Sequence, residues 1–163
     1  MNMEATETLE AVDTTQVVAF RLDDRLFGVD IRDVKEVNEE VAVTHIHHAP
    51  KNVSGYLNIR GQIHLVVDLR TEFGFAKAPT RPTSRVIIFK TSVDEPFGVL
   101  VDSVQDILEI DPERLVDRRA KEAVVGRSEL RRARKELCQG VYPLAKELLM
   151  LLNAHAILPK EGN

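Results

Sequence analysis

The chain has no tryptophan and one cysteine, Cys138, among 163 residues. A single cysteine excludes an intramolecular disulfide and any site built from several cysteines, and it fits a reducing, cytoplasmic compartment. Aromatic residues make up 5% of the chain against 44% hydrophobic residues overall, so Val, Leu and Ile must fill the core. Also lacking is an apolar run near the roughly 20 residues that a helix needs to span a bilayer, so no direct membrane insertion is expected. A formal net charge of -4 gives no overall pull toward nucleic acid or anionic lipid. The length suits one domain or two small lobes sharing a core. Met1 to Gln16 is acidic and Thr-rich and reads as a disordered leader, and Pro159 to Asn163 reads as a tail.

Chemistry-bearing patterns are equally sparse. Gly55 and Gly61 lack the spacing and the Lys-Ser/Thr ending of a phosphate loop. Neither Ser54 nor Ser128 sits in a nucleophile elbow, and Cys138 has no nucleophile context. No catalytic residue and no cofactor is assigned, and an enzyme is not expected. One alternative is a zinc-binding β protein using His45-Ile46-His47-His48, with His64 as a fourth ligand. On an extended chain His45 and His47 share a face while His48 points the other way, so no metal site is expected. Another alternative is a small β-barrel nucleic-acid module using Arg131, Arg132, Arg134 and Lys135. Such modules stack bases on exposed aromatics, whereas the Phe and Tyr residues here fall mostly at core-type positions. No nucleic-acid partner is expected.

What the chain does have is alternation. Val18, Phe20 and Leu22 share one face against Ala19 and Arg21, and Phe27, Val29 and Ile31 alternate with Gly28, Asp30 and Arg32. Around the polar turn Asp23-Asp24-Arg25 these runs predict a β-hairpin, with Ile31, Val34 and Val37 spaced for a helical turn after it. The pattern recurs 70 residues later. Phe27-Gly28-Val29 matches Phe97-Gly98-Val99, Val34 matches Val104, Glu36 matches Asp106 and Val37 matches Ile107. Each block leads to an apolar strand ending in an acid or amide, Ile63 to Asp68 and Leu148 to Asn153. A supersecondary unit repeated at this interval predicts two similar β lobes, at 17–80 and 81–158.

Asp68 and Asn153 lie 85 residues apart, which places an insertion at about 115–136. Asp117 to Ala123 is charged and helix-favouring, Gly126 breaks it, and Ser128 is placed to cap a second helix. Between Asp117 and Glu136 there are eight Lys/Arg against four Asp/Glu, a local +4. This reads as a solvated helical face or as a basic patch for an acidic partner.

From Val17 to about Leu158 the sequence resembles the CheW family of chemotaxis coupling proteins. The resemblance rests on Ala49-Pro50-Lys51-Asn52-Val53-Ser54-Gly55-Tyr56-Leu57-Asn58-Ile59-Arg60-Gly61-Gln62-Ile63, on Val66-Val67-Asp68-Leu69-Arg70, and on Val34-Lys35-Glu36-Val37. His45, His47 and Leu65 depart from prolines common in that family, and Asn153 departs from an aspartate. The resemblance implies an all-β fold with minor helix, two five-stranded SH3-like barrels around a shared core. It also implies a non-catalytic adaptor between the cytoplasmic tip of a chemoreceptor and the regulatory domain of a CheA-type histidine kinase. Val34, Glu36, Gly55 and Arg60 would then lie in the receptor-binding region, with Asn58, Gly61 and Asp68 as structural motif residues. Independently of the family, Arg60 beside the bend at Gly61 must reach water, a carboxylate or a partner, and Glu36 is the natural internal candidate.

Overall fold

The computed structural model of the chain describes residues 13–116, 134 and 136–158. The tail at 159–163, most of the leader, the helix expected from Asp117 to Ala123 and the start of the one expected after Ser128 lie outside the described residues. Strand β1 (Thr15–Leu22) begins two residues inside the expected leader. It pairs antiparallel with β2 (Arg25–Asp30), the predicted hairpin. Asp23 and Asp24 take φ of 53° and 67° between the paired Leu22 and Arg25, as a tight two-residue hairpin turn demands. The helical turn expected after it is shorter than the spacing suggested. A 3-10 turn covers only Ile31–Asp33, and Val34 and Val37 belong to β3 (Val34–Asn38).

The chain continues through β4 (Val53–Ile59), β5 (Gln62–Val67), β6 (Arg85–Phe89), β7 (Phe97–Val101), β8 (Ser103–Ile110), β9 (Cys138–Pro143) and β10 (Leu148–Leu152). Short 3-10 turns follow β5, β8 and β10, at Leu69–Phe73, Pro112–Arg114 and Ala154–Ala156. Asp68, Asp111 and Asn153 cap them by accepting a backbone N–H two residues on.

Two five-stranded mixed sheets result, ordered β8-β1-β2-β10-β9 and β3-β6-β7-β5-β4. Replacing every strand by its counterpart in the other repeat (β1 by β6, β5 by β10, and the reverse) converts one order into the other. The repeat is therefore real, but the lobes expected at 17–80 and 81–158 need correction. Each repeat gives its first two strands to one sheet and its last three to the other. The exchange is made by the parallel pairs, where β10 runs beside β2 and β5 beside β7. A parallel pair needs a long crossover, so strands near in sequence end up apart. No backbone ladder closes either sheet into a barrel among the described residues.

The shared core lies between the sheets and receives Phe20, Phe27 and Met150 from one and Phe89, Phe97 and Val67 from the other. Each sheet also buries its opposite face. Val17, Ala19, Leu149 and Leu151 form one smaller cluster, and Leu57, Val66, Val86 and Ile88 the other. The two-faced alternation of β1 is thus apolar on both sides, and Ala19, read as the polar-side neighbour of Phe20, is fully buried.

A candidate interaction surface

The β4–β5 hairpin turns on Arg60 and Gly61, with φ of 51° and 87° between the paired Ile59 and Gln62. A left-handed arginine is unfavourable by itself. Asn58 offsets this, since its Oδ1 accepts the Gly61 N–H at 2.9 Å and closes the turn. The turn throws the Arg60 side chain off the sheet, and its Nη2 donates to Oε2 of Glu36 on β3. The expected Glu36–Arg60 pair therefore forms. Arg60 remains 67% exposed and Glu36 26% exposed, so the guanidinium keeps most of its surface in water.

The other two residues expected at the receptor surface play different parts. Val34 is half-buried and packs against the shared core. Gly55 is buried at a bulge in β4, with φ of 151°. A Cβ there would stand 2.1 Å from the Thr44 carbonyl oxygen, because the incoming segment pairs with Tyr56 through two backbone hydrogen bonds of 2.9 Å. Gly55 thus fixes where residues 44 and 45 run. Val37 and Ile63, which flank Glu36 and Gln62, point outward as large exposed apolar side chains.

The histidines do not gather. His47 and His48 sit in a turn, His48 with φ of 62°, so the run is not the extended segment expected. They line an open groove of about 440 Å³ together with Leu65 and Glu95. His64 is buried on β5, its Nδ1 3.1 Å from the Gln62 carbonyl. Among the described residues no three His, Cys, Asp or Glu side chains are placed to hold a metal ion.

Three polar clusters escaped the sequence reading. Arg70, 4% exposed, bonds to Asp102, with Asp23 and Asp68 at 3.8 and 3.9 Å. Asp102 in turn accepts the Asp23 N–H, and its backbone carbonyl accepts from Thr83, so the cluster ties the β1–β2 turn to the end of β7. Arg134 donates to Glu72 and to the carbonyls of Ala156 and Ile157. On the first sheet, Arg21 makes a two-pronged pair with Glu147 at 3.0 and 2.7 Å. That bond holds the Glu147 carboxyl below its ordinary value and raises the Arg21 guanidinium further. Of these residues only Asp68, the cap of the turn that carries Arg70, stood out in the sequence.

Ion pairs, capped turns and exposed apolar side chains on two intertwined sheets define a β scaffold suited to holding other proteins. The CheW-like domain model matches residues 16–162, and the chain belongs to that family. The chemotaxis protein CheW of Rhizobium meliloti (strain 1021) is 30% identical over 147 residues, which are 90% of this chain and 88% of that one. The CheW of Klebsiella aerogenes is 27% identical over 146 residues, 90% and 82% of the two chains. In architecture the chain is similar to the crystal structure of the scaffolding protein TtCheW from Thermoanaerobacter tengcongensis. The TM-score is 0.76 at 26% identity, over 93% of this chain and 97% of that one.

Proposed function

We propose that this chain is a non-catalytic adaptor that couples the cytoplasmic tips of chemoreceptors to a CheA-type histidine kinase. The observation that carries this reading is the Glu36–Arg60 pair, with its largely exposed guanidinium, on a sheet that also exposes Val37 and Ile63. A charged pair next to exposed apolar side chains is a recognition surface, since the pair orients a partner while the apolar groups gain from burial. Val34, Glu36, Gly55 and Arg60 serve the receptor, Arg60 and Glu36 by contact and Gly55 by shaping the neighbouring backbone. A separate surface docks the kinase regulatory domain. The same pair ties edge strand β3 to the β4–β5 turn across its sheet, which supports reading that sheet as curled toward an SH3-like barrel. Signal passes by differential affinity for the receptor's states, with no chemistry of the adaptor's own. No helix among the described residues is long and apolar enough to cross a membrane. We place the adaptor in the cytoplasm, recruited to receptor arrays by its partners.

The test is Arg60→Ala in co-purification with a soluble receptor fragment and with a kinase regulatory domain, separately. Because Arg60 is largely exposed, its loss should cost no more than about 1 kcal/mol of stability. Receptor capture should fall while kinase capture stays near normal. A protein that melts normally and still captures the receptor would overturn the assignment of Arg60.

A further inference from the structure

The β4–β5 turn places an unfavoured residue type at its most demanding position. A two-residue turn of this kind is left-handed at both central residues, which glycine and asparagine accept and arginine resists. Asp23 and Asp24 form such a turn between β1 and β2, and aspartate tolerates that conformation. Arg60 adopts it between β4 and β5, with φ of 51°. Gly61 follows with φ of 87°, and a Cβ added there would meet nothing within 4 Å. The glycine therefore serves the conformation of the turn and not a close packing neighbour. Asn58 serves it too, since its Oδ1 reaches in from before the turn to accept the Gly61 N–H at 2.9 Å. Two residues thus enforce one backbone conformation on the arginine next to them.

Strain of this kind persists only where the surroundings hold it in place, and it collects at sites that bind or switch. What Arg60 gains is a direction. Its Nη2 is held by Glu36 while the side chain stays 67% exposed, so the rest of the guanidinium is left to solvent or to a partner. A planar donor set that is already oriented loses less freedom when an acceptor meets it. Asn58 is itself exposed, yet its acceptor oxygen is committed to the turn, so its effect on a partner passes through Arg60.

We propose that Asn58 is a positioning residue for receptor docking. By closing the turn it holds Arg60 left-handed, and so holds the guanidinium at Glu36 in the orientation that a receptor meets. The proposal rests on the adaptor reading for the receptor itself. Asn58→Ala should leave the fold intact and let the Gly61 amide exchange with solvent several-fold faster. Its affinity for a soluble receptor fragment should fall by roughly three- to tenfold, the worth of one hydrogen bond, while its affinity for a kinase regulatory domain should not change. Asn58→Asp keeps an acceptor in the same place and should retain the receptor affinity. In an Arg60→Ala background Asn58→Ala should have no further effect on receptor affinity, because its action passes through the arginine. Arg60→Asn should melt above Arg60→Ala, since both lack the guanidinium and only asparagine accepts the left-handed conformation. Unchanged Gly61 exchange or unchanged receptor affinity in Asn58→Ala would overturn the proposal. So would an equal loss of affinity in the Arg60→Ala background, a like loss in Asn58→Asp, a joint loss of receptor and kinase binding, or Arg60→Asn melting no higher than Arg60→Ala. Wild-type protein that binds no receptor fragment, with Gly61 exchange still governed by Asn58, would overturn the adaptor reading instead.

Discussion

Arg70 and His155 occupy equivalent places in the two repeats, yet one is sealed between the sheets and the other stands half in solvent. The same backbone device, a capped 3-10 turn after an apolar strand, serves cohesion in one half and accessibility in the other. The side chain two residues past the cap decides which. The largest expected effect breaks this contrast from its buried side. Arg70→Ala strands Asp102 at 6% exposure, and losing one partner of a buried pair costs roughly 3–5 kcal/mol. His155→Ala, by contrast, should cost about 1 kcal/mol or less. Urea denaturation of the two variants measures the difference directly, and equal losses would mean that Arg70 is not the tie between the lobes.

A second matched pair is Gly55 and Gly140, each at the point where an incoming segment bridges to the sheet. Thr44 pairs with Tyr56 in one half, and Val116 with Val141 in the other. An added Cβ would meet the Thr44 oxygen at 2.1 Å at Gly55, but the Val116 oxygen at 2.8 Å at Gly140. Only Gly55 also has a positive φ. Gly55→Ala should therefore cost about 2 kcal/mol or more, through strain and displaced backbone, and Gly140→Ala clearly less. Thermal melts rank them, and Gly55→Ala should also impair receptor capture by moving residues 44 and 45.

Next in size is Arg134. It donates to two carbonyls and to Glu72, which is 13% exposed. Arg134→Ala should cost about 1–3 kcal/mol, because it leaves several acceptors unmatched. The polar segment that interrupts the second repeat should be dispensable only up to that residue. A short Gly/Ser linker in place of residues 117–133 should cost little, since loop length enters only logarithmically. The replacement must stop before Arg134, which belongs to the folded body. A linker variant that keeps Arg134 and still fails to fold would show that the segment contributes to the core.

The repeat, the first hairpin, the two apolar strands ending in caps and the Glu36–Arg60 pair were all legible in the sequence, because each is a local pattern with a local cause. Alternation fixes which face of β1 meets the shared core, and a short polar turn closes a hairpin wherever the flanking strands pair. The division into lobes was not legible. Phe27-Gly28-Val29 and Phe97-Gly98-Val99 reveal two copies of a unit, but nothing in either copy says that its later strands cross to the other sheet. Nor could Arg70 be told from His155 by its neighbours. A buried guanidinium depends on Asp102 and Asp23, 32 and 47 positions away, and only the fold brings them together. The main constraint on Gly55 was not legible either, since it is the approach of Thr44, eleven residues earlier.

The smallest expected effect compares the two exposed ion pairs, Arg21–Glu147 on one sheet and Arg60–Glu36 on the other. Arg21 grips Glu147 with both prongs, and that bond is the main cause of the lowered Glu147 carboxyl, with burial working against it. A carboxyl lowered in the folded state favours folding at pH above its unfolded value, about 4.3 for a glutamate. This contribution fades as pH falls through the depressed folded value. Arg21 stays protonated throughout, so its own raised value adds nothing across that range. With Glu147 40% exposed, solvent screening keeps the pair within about 1 kcal/mol. Glu147→Gln should thus lower the melting temperature slightly at pH 7 and leave it nearly unchanged near pH 3. The gap between variant and parent should close across the acid limb. Raising salt at pH 7 should close it in part as well, because the pair lies within reach of mobile ions. A gap that is constant from pH 3 to pH 7 would mean that Glu147 contributes through packing of its β9–β10 turn rather than through its charge.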